Sequence, residues 1–270
     1  LSVAGDFNPK TIKPLIADLF GGLPQGGTPQ RRTAGPVKLD AVKRATLLDK
    51  VQLPMIAMVY HSPAWYADGD AEMNLAAAVL SRGKTSRLYK RLVYDDKIAA
   101  EVSAYQDASQ LGSLFRIDVL ANPGVDLDRV EKAIDEEVVR LTKEGPNTKE
   151  MEKYKVGYEL SMLNGLQSVE AKADQLNEYD YIWSEPNSFK RDLDRFRSST
   201  AEGLRQWCGK VFTQDARLIM RVLPEGPERT EPTVDKKPEL TATHATESPS
   251  QAPPKAPERK ASPRDQQPKL

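Results

Sequence analysis

Residues 80–106 constrain the fold of this chain more than any other stretch, because a short run of sequence encodes three consecutive elements. One helix is predicted to end near Ser81, where Gly83-Lys84-Thr85 forms a turn. A second helix is predicted over residues 85–94. From Ala100 onward apolar and polar side chains alternate, which indicates a strand with one buried face. This order favours a domain in which helices pack against a sheet.

Strand pairs on either side of this segment complete the predicted architecture. Residues 45–50 and 53–60 are predicted as strands before it, and a strand around Phe115 follows a turn at Gly112. Strand pairs separated by helices predict an α+β fold, with helices on one face of a mostly antiparallel sheet. Further helices are predicted over residues 127–143 and 147–182. Ser199 and Glu202 fit a capping box, which predicts that another helix begins there.

The first part of the chain is interpreted as the end of a preceding domain. Residues 1–5 are apolar and typical of a strand, and residues 9–20 carry apolar side chains at helical spacing. One strand and one helix cannot bury a core by themselves, so residues 1–22 are assigned to another domain. Residues 23–43 are rich in glycine, proline, glutamine and arginine and are interpreted as a linker.

The main domain is predicted over residues 44–225. Residues 226–270 are rich in proline and poor in large apolar side chains, so we expect a disordered tail or interdomain linker.

Composition excludes several classes of function. The 39 basic residues are balanced by 39 acidic ones, so no strong basic field attracts nucleic acid. The longest apolar runs, residues 55–60 and 75–80, are far shorter than the roughly 20 residues that a membrane span requires. The single cysteine, Cys208, excludes an internal disulfide and is expected to pack as a small apolar side chain.

Two stretches together resemble the pitrilysin/insulinase family of zinc metallopeptidases, of the mitochondrial processing peptidase-like type. The opening run LSVAGDFNPKTIKPLIADLFGGLP resembles the end of the zinc-bearing domain of that family. Residues 51–106 and the helices after them resemble its second, non-catalytic domain. The resemblance covers residues 1–224 and implies that this chain is the non-catalytic part of a longer protein.

The zinc motif of that family is absent from this sequence. The family holds its metal with a His-x-x-Glu-His helix and a downstream glutamate. The chain has only His61 and His244, and Ala64 stands three residues after His61 while Ser248 replaces the second histidine after His244. We therefore predict no catalytic residue, metal ligand or cofactor in this chain, and the resemblance places zinc in the missing upstream domain. His61 is interpreted as a turn or surface residue.

The family often uses an arginine and a tyrosine from its second half to hold the scissile carbonyl. The matching positions here are Val93 and Ala100, and neither side chain can donate a hydrogen bond to an oxyanion. The resemblance therefore implies the domain that directly follows the zinc domain. Tyr94 and Tyr105 lie nearby, but nothing in the sequence places them in that role.

A substrate-holding strand is the functional feature that the resemblance still implies. In relatives the strand matching residues 101–106 pairs through its backbone with a bound peptide. Val102, Ser103, Ala104 and Tyr105 are the predicted substrate-binding residues. The alternative is an internal strand that meets no ligand.

Three other features are interpreted as structural. Arg87 is expected to form an ion pair or cap. Gly83-Lys84-Thr85 is not a phosphate-binding loop, because the required first glycine is Ala78 here. The charged residues over 126–140 are expected to form the solvated face of a helix.

Two functions stay open at this stage. The favoured function is that of a segment of a zinc endopeptidase, which forms the wall of the proteolytic chamber and holds unfolded peptide. This segment would be inactive by itself, and its partner would be a homologous zinc-bearing domain. The alternative is a non-catalytic assembly subunit resembling respiratory-complex core proteins. By resemblance, the family type implies an exported, periplasmic protein.

Overall fold

Alternating burial along one strand, Ser113–Ala121, sets the layers of the fold. In the computed structural model, which describes residues 1–24, 26–27 and 39–225, Phe115 and Ile117 are fully buried while Arg116 and Asp118 lie on the opposite, partly exposed face. A burial period of two indicates a sheet covered by helices on one face. The predicted 226–270 tail, with His244, and most of the predicted linker lie outside the described residues.

The strands and helices of the described residues follow the predicted order closely. The strands are β1 (Lys43–Asp49), β2 (Met55–Ser62), β3 (Ala99–Asp107), β4 (Ser113–Ala121) and β5 (Leu218–Pro224). The helices are α1 (Pro9–Phe20), α2 (Asp70–Ser81), α3 (Leu127–Glu144), α4 (Thr148–Gly165), α5 (Val169–Trp183), α6 (Phe189–Ser198) and α7 (Ala201–Val211), with a π-helical segment at Tyr89–Asp95.

The five strands form one sheet in the order β1-β5-β2-β4-β3. Only β1 and β5 pair in parallel, and the other neighbours are antiparallel. The predicted α+β fold with a mostly antiparallel sheet is therefore confirmed. This order makes β1 and β3 the two edges.

The core lies between the sheet and the helices that pack on it. Helix α3 is capped by Asp126, whose side chain accepts the Asp128 N–H. On the inner face of this helix, Val130, Ile134 and Val138 are fully buried. Burying each such side chain stabilises the fold by about 1.5–3 kcal/mol. Cys208 of α7 is also fully buried, as predicted, and burial raises the pKa of its thiol.

Two predicted element boundaries are wrong. The helix expected over 147–182 is two helices, because α4 ends at Gly165 and the Ser168 side chain caps α5 by accepting the Ala171 N–H. Residues 1–5 form no strand, although Ser2 Oγ donates to the Ala173 carbonyl at 2.7 Å.

The predicted capping box of α7 does not form, because the helix is capped one residue later. The helix cap is Thr200, whose hydroxyl accepts the Gly203 N–H at 3.0 Å. Ser199 Oγ instead donates to Glu72 Oε1 at 2.8 Å, which ties the start of α7 to α2. A tertiary contact thus decides between two hydroxyl residues of similar capping ability.

The predicted solvated face of α3 is partly buried against arginines of the sheet. Glu131 is only 8% exposed and accepts from Arg44 at 2.6 and 2.9 Å and from Arg221 at 2.6 Å. Asp135 accepts from both terminal nitrogens of Arg217, which lies directly before β5. These contacts attach α3 to β1 and β5, so the prediction for residues 126–140 is wrong where these carboxylates lie.

Acid is expected to remove a measurable part of the stability through Glu131. Hydrogen bonds from Arg44, and then from Arg221, hold the pKa of the Glu131 carboxyl below its usual 4.5. Because the folded-state pKa is depressed, the stabilisation is complete above the unfolded pKa and is lost as the pH falls through the folded pKa. Glu131→Gln should lower the free energy of unfolding at pH 7 by about 1–2 kcal/mol, discounted because Arg44 is half exposed.

Urea unfolding at neutral pH and below pH 4.5 measures this effect. The difference between Glu131→Gln and the unmodified protein should shrink in acid, while Glu136→Gln on the exposed side of α3 should change little at either pH. A difference that stays constant with pH would show that the carboxylate charge is not the cause.

Candidate functional site

The predicted substrate-binding residues all lie in β3, at an edge of the sheet. β3 pairs with β4 on one side, and no other strand of the described residues pairs with it. The pairing is regular from Val102↔Val119 to Asp107↔Leu114, after a shift in register between Ala99 and Glu101. An edge strand presents a row of backbone N–H and C=O groups that another extended chain can bind.

The contact with Ser81 identifies which backbone groups point outward. Ala104 N–H donates to Ser81 Oγ at 2.7 Å, and Ser81 Oγ donates to the Ala104 carbonyl at 3.2 Å. Ala104 therefore turns its backbone groups away from β4. In an antiparallel ladder this orientation alternates, so the backbone groups of Val102 and Gln106 point to the same outer side, and those of Ser103 and Tyr105 point to β4.

The four predicted side chains divide between the two faces of the sheet. Val102 is 7% exposed and packs with Ala104 towards the helices. Ser103 and Tyr105 lie on the other face, called the uncovered face because no helix of the described residues packs on it, and Tyr105 is 39% exposed there. Only the second pair can offer side chains to a ligand on that face, whereas the first pair can offer backbone.

Tyr105 is held in a defined position on the uncovered face. Its hydroxyl donates to Asp118 Oδ2 at 3.0 Å, and the Arg116 guanidinium lies 5.7 Å from the centre of its ring. Partial burial and the hydrogen bond to the Asp118 carboxylate raise the pKa of Tyr105 above its ordinary value. The phenol is therefore neutral at physiological pH.

Two carboxylates flank Ser103 and Tyr105 on the same face. Glu101 and Asp107 have the same parity in β3 and are both exposed, and neither forms an ion pair within the described residues. The uncovered side of this edge therefore carries a carboxylate at each end.

A buried polar cluster around Asp70 holds one end of β3. Asp70 is 1% exposed, and its carboxylate accepts from Gln106 Nε2 at 2.7 Å and from Arg195 Nη1 at 2.9 Å. Arg195 also donates through Nε and Nη2 to Asp192, which is 5% exposed. This cluster connects β3, α2 and α6. In the sequence Asp70 looks like an ordinary first-turn helix residue, and nothing there indicates Arg195 as its partner.

The positions that match the family's carbonyl-holding pair offer no such chemistry. Val93 lies half-buried in the π-helical segment, and Ala100 is exposed at the register shift of β3. The segment predicted as an α-helix over 85–94 is thus partly π-helical, a rare conformation that is frequent at functional sites. Tyr94 is 72% exposed and points to solvent.

Arg87 is a structural residue, in agreement with the ion-pair prediction. Its Nε and Nη2 donate to the two carboxylate oxygens of Glu150 at 2.9 and 2.8 Å, and Nη2 also donates to the Gly145 carbonyl. Glu150 in turn accepts the N–H of Asn147 as part of the cap of α4. These contacts attach the segment before the π-helix to the start of α4.

The described residues do not fit a zinc site. No three histidine, cysteine, aspartate or glutamate side chains in that part of the chain converge as ligands of a metal ion would. His61 is exposed in β2, opposite Leu114 of β4. A protein zinc site needs at least three such ligands. Over the same residues, no helix is long and apolar enough to cross a membrane.

Comparisons with known proteins match the first part of the chain to a family. The profile of the peptidase M16 inactive domain matches residues 1–158. No match is found among curated protein sequences.

Solved structures share the fold at low sequence identity. A protease from Helicobacter pylori is 20% identical with a TM-score of 0.73, and the match covers 82% of this chain and 54% of that one. The peptidase M16 inactive domain from Pseudomonas fluorescens is 16% identical with a TM-score of 0.67, covering 83% and 53%. The periplasmic protease PqqL from Escherichia coli is 12% identical with a TM-score of 0.61, covering 82% and 25%. The chain therefore spans about half the length of the first two relatives.

Proposed function

The chain belongs to the peptidase M16 family, as a non-catalytic inactive domain of the pitrilysin type, and we propose that it forms the substrate-holding half of a zinc endopeptidase. In this proposal it walls the chamber in which an unfolded peptide is cleaved. A homologous zinc-bearing domain, in the same polypeptide or in a partner subunit, performs the hydrolysis. The periplasmic relative supports an exported location for the whole enzyme.

The free edge at β3 is the observation that carries the proposal. The outward backbone groups of Val102, Ala104 and Gln106 alternate along this edge in the spacing that an added strand requires. Backbone pairing tolerates many side chains, because every residue of a peptide offers the same N–H and C=O groups. Such an edge holds unfolded peptides of varied sequence.

Side chains on the uncovered face add a preference within this broad specificity. A peptide on β3 would place alternate side chains near Ser103 and Tyr105, between the carboxylates of Glu101 and Asp107. Basic side chains at those positions neutralise the two carboxylates. The preferred substrate is therefore an extended peptide with basic residues, and its binding weakens as salt concentration rises.

Mixing the two halves tests the proposal. Zinc content and cleavage of a long quenched-fluorescence peptide are measured for this chain alone, for the zinc-bearing half alone and for the mixture. We expect no cleavage by this chain, little by the zinc-bearing half and full cleavage by the mixture, because the zinc-bearing half lacks the holding strand. Zinc should be detected only in the samples that contain the zinc-bearing half.

A short peptide that reaches the metal but not β3 is the control substrate. Its cleavage should depend much less on this chain than cleavage of the long peptide does. Full cleavage of the long peptide by the zinc-bearing half alone would contradict the substrate-holding role. Absence of cleavage and of zinc in every sample would instead favour an assembly role.

A further inference from the structure

The side chain of Ser81 occupies the middle of the free edge of β3. Ser81 is the last residue of α2, and its hydroxyl both accepts from the N–H of Ala104 and donates to its C=O. A residue of a neighbouring strand would satisfy the same two groups in the same way. The Ser81 hydroxyl thus makes the two hydrogen bonds that one residue of an adjacent strand would make with Ala104.

The hydroxyl has a second acceptor that it can use when it leaves Ala104. Ser81 Oγ lies 3.4 Å from the carbonyl of Ala77, one turn earlier in its own helix. Serine hydroxyls commonly donate to the carbonyl four residues before them in a helix. Displacement from Ala104 therefore leaves the Ser81 hydroxyl with an acceptor for its proton, the Ala77 carbonyl, although it gives up two hydrogen bonds for one.

The outward backbone groups of the residues on either side of Ala104 have no such side-chain partner. Val102 and Gln106 point their backbone to the same side, and no side chain of the described residues is hydrogen-bonded to their N–H or C=O groups. The edge is thus hydrogen-bonded to a side chain at one central residue and not at its neighbours, of which Val102 is 7% exposed and Gln106 is half-buried. A peptide can begin to pair at Gln106 before it meets Ser81.

From these contacts, and given the proposed peptide-holding function, we infer that Ser81 is a displaceable plug that sets the affinity of β3 for extended peptide. A peptide that pairs along β3 takes over both hydrogen bonds of Ala104 and moves the Ser81 hydroxyl to the Ala77 carbonyl. The plug weakens binding, which favours release of peptide after cleavage. It also protects the edge from pairing with other edges when no substrate is present.

Removal of the hydroxyl should therefore tighten peptide binding. The 270-residue chain and its Ser81→Ala variant are titrated, by fluorescence anisotropy, with a labelled peptide in which lysine alternates with threonine. We expect the dissociation constant to fall about fivefold in the variant, the factor that corresponds to one net hydrogen bond. Ser81→Thr keeps a hydroxyl and should restore the unmodified affinity.

Two controls separate this effect from general changes in the protein. Ser198→Ala removes a hydroxyl from the last residue of α6, where it donates to the Arg195 carbonyl, and should leave peptide affinity unchanged. A peptide N-methylated at every residue cannot donate backbone hydrogen bonds to the edge and should gain nothing from Ser81→Ala. Circular dichroism verifies that each variant is folded.

Two results would overturn the inference, and they have different meanings. Equal affinity of both proteins for the unmodified peptide would show that peptide binds without displacing Ser81. Absence of binding to either protein would overturn the inference together with the proposed peptide-holding function. Tighter binding of both peptides by Ser81→Ala would also overturn it, because backbone pairing would then not be the cause.

Discussion

Replacing Arg195 with alanine is expected to lower the free energy of unfolding by about 3–5 kcal/mol, the typical cost of breaking a buried ion pair. Arg195 donates to two carboxylates, Asp70 and Asp192, which are 1% and 5% exposed. Its guanidinium also lies 4.5 Å from the centre of the Tyr66 ring. The substitution leaves two buried charges without their counter-ion, and urea unfolding at neutral pH measures the loss.

Arg197 provides a matched control on the same helix. It pairs with Glu159 at the exposed surface, so Arg197→Ala should leave the unfolding midpoint nearly unchanged. A small effect of Arg195→Ala, similar to that of Arg197→Ala, would show that water replaces the guanidinium in the cluster. If Arg195→Ala is too unstable to purify, Arg195→Lys should be intermediate, because lysine keeps one charge but cannot contact both carboxylates with the same geometry.

The helices and strands in which apolar side chains recur with a clear period could be predicted from the sequence. The sequence predicts helix α1 over Pro9–Phe20, and the helix lies there, with the Asn8 side chain accepting the Lys10 N–H. Strand β4 and helix α3 were also recognisable, because in each the burial of a side chain follows from its own position in the repeat. The parallel pairing of β1 with β5 had no local signal, since the two strands are separated by the whole domain.

Errors arose where distant contacts decide between similar local choices. Ser199 and Thr200 are both good helix caps, and the hydrogen bond of Ser199 to Glu72 of α2 leaves the cap to Thr200. The acidic residues of α3 have the sequence pattern of a solvated helix face. In the folded protein, however, the sheet places Arg44 and Arg221 against Glu131. A single sequence does not reveal such partners.

The periodicity of the sequence predicts the candidate site as a strand, whereas only the family resemblance implies that this strand lies at an edge. Alternation identified the residues from Val102 to Tyr105 as a strand, yet their place at the end of the sheet depends on the order of all five strands. The hydrogen bonds between Ser81 and Ala104 have no local signal, because in the sequence Ser81 is only the predicted end of a helix. The edge and its plug are therefore products of tertiary structure.

If the proposed function holds, a proline at Ala104 should reduce cleavage of long peptides roughly ten- to a hundredfold in a protein that joins this chain to a zinc-bearing domain. Ala104→Pro removes an outward N–H, and the proline ring collides with a strand that pairs there. The ladder with β4 should survive, because the backbone groups of Ala104 point away from β4. The value of kcat/KM for a long quenched peptide measures the effect.

Ala104→Ser is the matched variant, since it keeps the N–H and a small side chain and should cleave the long peptide normally. A short peptide that does not reach β3 should be cleaved equally by all three proteins, which distinguishes loss of holding from loss of folding. Unchanged cleavage of the long peptide by a folded Ala104→Pro protein would exclude backbone pairing on β3. The substrate would then have to be held by side chains of the uncovered face, where Tyr105 and the carboxylates of Glu101 and Asp107 lie.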